Sequence, residues 1–199
     1  MSGGRVMSYA TLESERLLLV PLSLDDVPGI QRHFSNWDII QHLAARVPWP
    51  YPEDGALTFV RDVALPAIER EEEMIWAIRL KAAPRETVGL IGYRGKDDGF
   101  GNRGFWLARH LHGQGYMTEA VGLFQDFVFT ELGIESFVVL NAVDNPASRK
   151  IKEKTGAKFL DEVHSLHRNG TTRTERWLVT RQAWEHLGLV RTQNSEEIS

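Results

Sequence analysis

The spacing of hydrophobic and polar residues predicts a chain in which strands and helices are mixed. Apolar runs and two-residue alternation predict strands at residues 12–22, 74–80, 87–93, 104–107, 137–140, 157–163 and 176–180. Helical spacing bounded by capping residues predicts helices at 24–34, 39–43, 53–70, 117–131, 145–155 and around 183–184, and Pro66 is expected to break or kink the third of them. This order predicts a mixed α/β sheet of about seven strands with helices on both faces.

Two glycines, Gly113 and Gly115, lie between the strand at 104–107 and the helix that follows it. Glycine lets the backbone approach a ligand closely with its N–H groups pointing inward, and the helix N-terminus adds a partial positive charge. We therefore expect this turn to hold phosphate. A tight turn that only needs two small residues would give the same pattern.

A second helix start follows the apolar strand at 137–140. Asn145 and Pro146 are typical of an N-cap and a first helical residue. The stretch from Asn145 to Lys158 is strongly basic, with a single acid, Glu153, against Arg149, Lys150, Lys152, Lys154 and Lys158. The cluster indicates an anionic ligand nearby, although a solvated helix face with lysines near its C-terminus accounts for part of it. Two helix N-termini could thus face one elongated ligand.

Composition narrows the class of protein. The chain has 199 residues, 42% of them hydrophobic, which is enough for one buried core. A net charge of −4 argues against a nucleic-acid-coating protein, and the absence of cysteine excludes disulfides, thiolate metal sites and a cysteine nucleophile. We expect a cytoplasmic protein, monomeric or homodimeric, that binds no metal, nucleic acid or membrane. Its single domain is expected at 11–187, with a flexible leader at 1–10 and a disordered tail at 193–199.

The sequence around the glycine turn, His112-Gly113-Gln114-Gly115-Tyr116-Met117-Thr118-Glu119-Ala120, resembles a known acetyl-CoA-binding motif. Together with residues 104–107 before it and 145–157 after it, this stretch resembles the core of GNAT-superfamily N-acetyltransferases. The branch it is most similar to is that of the ribosomal-protein alanine and serine N-acetyltransferases (RimJ/RimL-like). Residues 12–19 and 48–52 also match that branch, so the resemblance extends from about residue 11 to 187. It implies a mostly antiparallel sheet with a splayed central strand pair.

The resemblance also implies an activity and a set of roles. Acetyl-CoA would be the cosubstrate, and a primary amine (a protein N-terminus or a small amine) would attack it directly in a ternary complex. Ser148 would return a proton to the departing thiolate, and an amide near Trp106 or Leu107 would stabilise the oxyanion. The residues expected to bind the cofactor are Leu107, Ala108, His112, Gly113, Gln114, Gly115, Tyr116, Met117 and Asn145. From the residues alone, Asn145 could serve only as an N-cap and Ser148 only as a favourable first-turn residue.

The acceptor side of the site is less defined by the sequence. Trp49 and Tyr51 lie in a proline-rich loop that forms either a wall of the substrate groove or a segment packed on the core. The attacking amine must lose a proton, and several side chains could accept it: Glu86, Asp97, Asp98, His112, Glu162, His164 and Glu175. A water chain or bulk solvent could also do so. His110 and His112 flank the loop without the spacing of metal ligands.

Three positions depart from the family pattern. His110 stands where the superfamily often has Gln or Arg, Arg103 precedes Gly104 where this branch often has an acid, and Gly156 is followed by Ala157 rather than Phe. A CoA-binding module without turnover is the alternative function. A nucleotide-binding fold of another kind is disfavoured, because no Gly-Lys-Ser/Thr follows the loop.

Overall fold

The computed structural model describes residues 9–95 and 101–196, and these form one eight-stranded sheet with helices packed against it. The strands are β1 (Leu12–Glu13), β2 (Leu17–Pro21), β3 (Glu73–Leu80), β4 (Ala83–Arg94), β5 (Arg103–Leu107), β6 (Ser136–Ala142), β7 (Lys158–His164) and β8 (Arg173–Thr180). The helices are α1 (Val27–Phe34), α2 (Trp37–Ile40), α3 (Gly55–Thr58), α4 (Leu65–Glu69), α5 (Tyr116–Thr130), α6 (Pro146–Lys154) and α7 (Arg181–Glu196). None of the helices in these residues is long and apolar enough to cross a membrane.

The strand order is β1-β2-β3-β4-β5-β6-β8-β7, and every neighbouring pair is antiparallel except β5 and β6. This confirms the predicted mixed α/β sheet. There are eight strands because the segment predicted as one strand at 12–22 turns back on itself. In that turn the Ser14 N–H donates to the Leu17 carbonyl over 3.1 Å, which closes the β1–β2 hairpin.

The parallel pair in the middle of the sheet touches at one end only. β5 pairs with β4 from Arg103 to Leu107, but its ladder with β6 is limited to Arg103 opposite Val139. Asn102 closes this end, because its backbone N–H donates to the Val138 carbonyl and its side-chain oxygen accepts from the Val138 N–H. Beyond this point the two strands part, which is the splayed pair that the resemblance implies.

The core lies between the sheet and α5. Trp76 of β3 is fully buried and its ring contacts Phe124 and Phe127 of α5 edge-on, at 6.1 and 5.2 Å between ring centroids. The predicted apolar stripe of this helix is therefore its buried face. Because the helix is fixed by these large side chains, its N-terminus is fixed beside the end of β5.

The segment predicted as one helix at 53–70 is helical without a break at Pro66. A π-helical stretch, Phe59–Ala64, joins α3 to α4, and Pro66 lies in the first turn of α4. Widened turns tolerate a residue that cannot donate a backbone hydrogen bond, which is why the proline does not interrupt the helix here.

Both ends of the described chain extend into segments that were expected to lack structure. The hydroxyl of Tyr9 donates to the Ile75 carbonyl over 2.5 Å, and the Ala10 carbonyl accepts from the Trp76 indole over 3.0 Å. At the other end, α7 continues to Glu196. Polar residues such as Gln and Glu propagate a helix that apolar residues have started, so polarity alone did not mark its end.

A pair of helical glycines tests the packing of α1 on the sheet. A Cβ at Gly29 would lie 2.6 Å from the Thr87 carbonyl oxygen of β4, which cannot move, so we expect Gly29→Ala to lower the free energy of unfolding by about 1–3 kcal/mol. Gly122 of α5 is the matched control, because its Cβ would meet only Trp184 at 3.7 Å. There the higher helix propensity of alanine should raise that free energy by up to about 1 kcal/mol. Urea unfolding measures both values, and equal effects would contradict the packing described.

Candidate active site

The turn at 112–115 has the backbone conformation that a phosphate-binding loop needs. Gly113 and Gly115 have positive φ angles of 77° and 84°, and Gly115 is the residue immediately before α5. Residues with side chains rarely adopt these angles, which explains why glycine occupies both positions. Alternation of left-handed with ordinary backbone turns successive N–H groups toward one side, as in an anion-binding nest.

These N–H groups have no partner in the described part of the protein. The backbone amides of Gly113, Gln114, Gly115 and Tyr116 donate to no backbone or side-chain acceptor there. The first amides of a helix have no intrahelical partner, and here the preceding loop adds more of them. The end of α5 that carries the positive dipole is therefore available to an anion.

A salt bridge from the β1–β2 turn holds the loop in place. The Arg16 guanidinium contacts the Glu119 carboxylate of α5 at 2.6 Å and donates to the Gln114 carbonyl over 3.1 Å. It also lies over the Tyr116 ring, 4.2 Å from its centroid. Ser14 adds a hydroxyl bond of 2.6 Å to the same carboxylate, which together with Arg16 holds the pKa of Glu119 below its usual value against the opposing effect of burial. The sequence reasoning missed this brace, because its partners are about a hundred residues apart.

A cleft of about 610 Å³ lies at the end of β5. It is lined by the end of β5, the glycine loop, the first turn of α5, the α2 region and the start of α6. The predicted cofactor residues that line it are Leu107, His112, Gly113, Gly115, Tyr116, Met117 and Asn145, together with the predicted catalytic Ser148. The structure thus brings two separate sequence motifs to one cavity.

The two remaining predicted cofactor residues do not line the cleft. The N–H of Ala108 donates to the Val88 carbonyl over 2.7 Å and its carbonyl accepts from Leu111, so both of its main-chain groups are used within the protein. The Gln114 side chain turns back to the His110 carbonyl over 2.8 Å, and its free backbone N–H belongs to the glycine loop. Leu107 is the residue of the β5 end that borders the gap. Its carbonyl accepts from the His112 imidazole over 2.8 Å.

Asn145 and Ser148 are held by the first turn of α6. The Asn145 side-chain oxygen accepts from the Ser148 N–H over 3.0 Å, so Asn145 is the N-cap of the helix. Its amide nitrogen has no partner among the described residues and is free for a ligand. Ser148 is buried apart from the side that borders the cleft, and its hydroxyl oxygen accepts from Lys152 Nζ over 2.8 Å.

The basic cluster of this helix divides into different environments. Lys150 and Lys154 line the cleft, where they would face an anionic ligand. Arg149 instead contacts the buried Glu175 of β8. Lys158 lies in β7, where it is exposed, and Lys152 is buried. The cluster therefore contributes two cations to the cleft and one salt bridge between α6 and β8.

The aromatic residues of the proline-rich loop pack beside the cleft and do not line it. Tyr51 contacts Phe34 at 5.0 Å between ring centroids, and burial raises the pKa of its hydroxyl to about 12. The Trp49 ring contacts the Trp37 ring at a tilt, with 5.1 Å between centroids, and Trp49 is about one-third exposed. Contact of these residues with an acceptor stays a prediction.

Three of the candidates for the proton acceptor are engaged elsewhere. Glu86 bonds to Arg32 and His33, which lower its pKa, and Glu162 pairs with Arg173 on an exposed strand. Glu175 accepts from Asn141 and Trp177 in addition to Arg149. Among the described candidates only His112 lines the cleft, whereas Asp97 and Asp98 lie outside the described residues.

The structure adds two titratable side chains that the sequence did not indicate. His42 and Asp38 line the cleft from the α2 side, and Asp38 pairs with Arg109 over 2.9 Å. In the part of the chain that the structure describes, no group of three or more His, Asp or Glu side chains is placed to hold a metal ion.

Comparison with known proteins identifies the family. The sequence matches the family model described as an acetyltransferase (GNAT) domain over residues 16–158. No curated protein sequence matches the chain.

Solved structures of low sequence identity share the fold. A RimL ribosomal L7/L12 α-N-protein acetyltransferase in complex with coenzyme A is 17% identical, with a TM-score of 0.72 over 87% of this chain and 99% of that one. The ribosomal-protein-S5-alanine acetyltransferase from Vibrio fischeri is 15% identical, with a TM-score of 0.73 over 88% and 99%. A GNAT-family acetyltransferase from Bacillus anthracis is 16% identical, with a TM-score of 0.71 over 87% and 99%. With the family model matching most of the chain, this protein belongs to the GNAT acetyltransferase family.

Proposed function

We propose that this chain transfers an acetyl group from acetyl-CoA to a primary amine by direct attack within a ternary complex. The observation that carries the proposal is the set of free backbone amides at 113–116, in a loop that lines the cleft at the end of β5. A diphosphate matches the amides in charge and hydrogen bonding, and an amide-containing arm matches the unpaired strand edges. Coenzyme A combines these two parts.

The charges around the cleft favour such a ligand. Lys150, Lys154 and Arg109 line the cavity, and the Arg16 guanidinium lies beside the loop, where a Cβ on Gly115 would be 3.4 Å from its Nη2. Arg109 is paired with Asp38 and Arg16 with Glu119, so the cations that attract an anion to this place are Lys150 and Lys154. We propose that the loop amides bind the diphosphate and that the lysines of α6 neutralise part of its negative charge.

The residues beside the proposed cofactor site suit the steps of acetyl transfer. The lone pair of the neutral amine attacks the thioester carbonyl carbon, a C–N bond forms, and negative charge develops on the carbonyl oxygen. A backbone N–H near Trp106 or Leu107 stabilises that oxygen. The attacking nitrogen then loses its extra proton and the C–S bond breaks. The hydroxyl of Ser148 donates a proton to the sulfur, and the proton that the nitrogen released restores the hydroxyl.

A protein N-terminus is the acceptor class that we favour, with a small amine as the other. One of the similar structures is named for acetylation of a ribosomal protein at its α-amino group and another for a ribosomal-protein alanine. The cleft lies between α2 and α6 and is open to solvent, so an extended peptide end can reach it. The alternative of a CoA-binding module without turnover predicts binding without thiol release.

The loop assignment is tested by adding a carboxylate to it. We expect Gly113→Glu to weaken acetyl-CoA binding at least about 30-fold, equivalent to about 2 kcal/mol, because the new charge repels the diphosphate where the amides should bind it. Gly133→Glu is the matched control, since Gly133 also has a positive φ angle and open space around it. Isothermal titration calorimetry measures both affinities. An unchanged affinity for Gly113→Glu would exclude the loop from the site.

Turnover is tested by measuring thiol release from acetyl-CoA against peptide N-termini and a panel of small amines. The chain has no cysteine, so a thiol reagent reports only free CoA. We expect Ser148→Ala to lower kcat by roughly 10- to 100-fold while the KM for acetyl-CoA changes less than about twofold, since the hydroxyl acts on the leaving group. Ser136→Ala, on the exposed start of β6, should leave both constants unchanged. Binding of acetyl-CoA without thiol release from any amine would favour the non-catalytic module.

A further inference from the structure

Lys152 is a buried amine without a carboxylate partner. Its side chain is on α6, one turn after Ser148, and is 1% exposed. Nζ donates to Ser148 Oγ over 2.8 Å, and in the described part of the protein this is its only hydrogen bond. Lysine is almost never fully buried unless it is paired with an acid, so this position requires a physical reason.

The surroundings of Lys152 disfavour its charged form. Arg103 of β5 is also buried, and its charge repels a charged Lys152. The Arg103 guanidinium donates to the neutral side-chain oxygen of Gln125 of α5 over 3.0 Å. The Phe105 ring lies 6.0 Å from Nζ. Burial and the Arg103 charge together lower the pKa of Lys152 well below its ordinary value. A guanidinium keeps its proton more firmly than an amine does, so of these two cations Lys152 is the one that gives up its proton more readily.

A neutral amine at this distance can do two things to the serine hydroxyl. Its N–H occupies one lone pair of Ser148 Oγ, which leaves the hydroxyl hydrogen free to point into the cleft that Ser148 lines. Its own lone pair can also accept the serine proton. Neither property exists for an apolar residue at position 152.

We infer that Lys152 is a positioning residue and proton store that acts through Ser148. The inference rests on the proposed acetyl transfer. In the tetrahedral intermediate the amine nitrogen and the thioester sulfur are bonded to the same carbon, so one hydroxyl can serve both atoms.

The protons balance in two relayed steps. As the nitrogen loses a proton to Ser148 Oγ, the serine passes its own proton to Lys152 Nζ. When the C–S bond breaks, Lys152 returns a proton to Ser148 and the serine donates one to sulfur. Lys152 begins and ends as a neutral amine, and the products are the amide and the free thiol. This relay supplies a proton acceptor at the cleft. Glu86, Glu162 and Glu175 do not fill that role, because each is bonded to its own partners.

A double-mutant cycle on the full chain tests the relay, using thiol release from acetyl-CoA with an accepted amine. We expect Lys152→Met to lower kcat at least about 10-fold with the KM for acetyl-CoA within about twofold, and to cause no further loss in the Ser148→Ala background. Thermal stability should stay equal or rise, because an apolar side chain replaces a buried amine. Lys152→Leu repeats the test if the methionine variant does not fold, and Lys158→Met, on an exposed strand, is the control.

The pH profile separates this role from a merely structural one. The neutral amine is the active form, so protonation of Lys152 at low pH should contribute an acid-side fall in kcat that Lys152→Met lacks. Arg103 is the charged group that faces Lys152 from another element, and burial lowers its pKa to about 9, which is above the acidic range of this test.

Each other outcome has a separate meaning. Wild-type kcat and pH profile in Lys152→Met, with a slow Ser148→Ala variant, would overturn the relay and leave the proposed function intact. Losses that add in the double variant would show that Lys152 does not act through Ser148, which also overturns the inference. If the wild type releases no thiol with any amine, the proposed function fails and the relay fails with it.

Discussion

The parting of β5 and β6 is the constraint on which the site depends. Backbone N–H and C=O groups inside a protein must be paired, and a sheet that opens in its middle leaves two strand edges without neighbours. At the β5 edge one carbonyl, that of Leu107, is satisfied by the His112 imidazole. The end of β5 also borders the cleft, which is where the proposed cofactor would bind.

The position of the chemistry follows from this opening. The glycine loop comes directly after β5 and α6 comes shortly after β6, so both helix N-termini lie at the mouth of the same gap. Asn102 fixes the closed end, and the Arg16–Glu119 salt bridge fixes the loop at the open end. A loop held before its ligand arrives loses less conformational freedom on binding, and more of the interaction energy then becomes affinity.

The features that the sequence predicted well are those with local causes. Gly113 and Gly115 are required by backbone angles, Asn145 by its own helix cap, and the stripe of α5 by its spacing. The features that it missed depend on contacts between distant segments, such as the brace from Arg16 and the approach of His42 to the cleft. Trp49 and Tyr51 show the same limit, because a proline-rich aromatic loop gives no sign of what its rings will pack against.

The basic side chains of α6 show that residues close in the sequence can lie in different environments. Counted as a cluster, its cations indicate one anionic ligand, but a helical repeat of 3.6 residues sends them in different directions. Lys150 and Lys154 are four residues apart and reach the cleft together, whereas Lys152 shares its face with Ser148, also four residues away. The spacing that joins Ser148 to Lys152 was therefore present in the sequence. The sequence does not show that the pair is buried. The same two residues on an exposed face would be a solvated lysine beside an ordinary serine. A buried amine is costly wherever it lies, and its one hydrogen bond within the described residues is to a hydroxyl that lines the cleft, where the proposed reaction moves a proton.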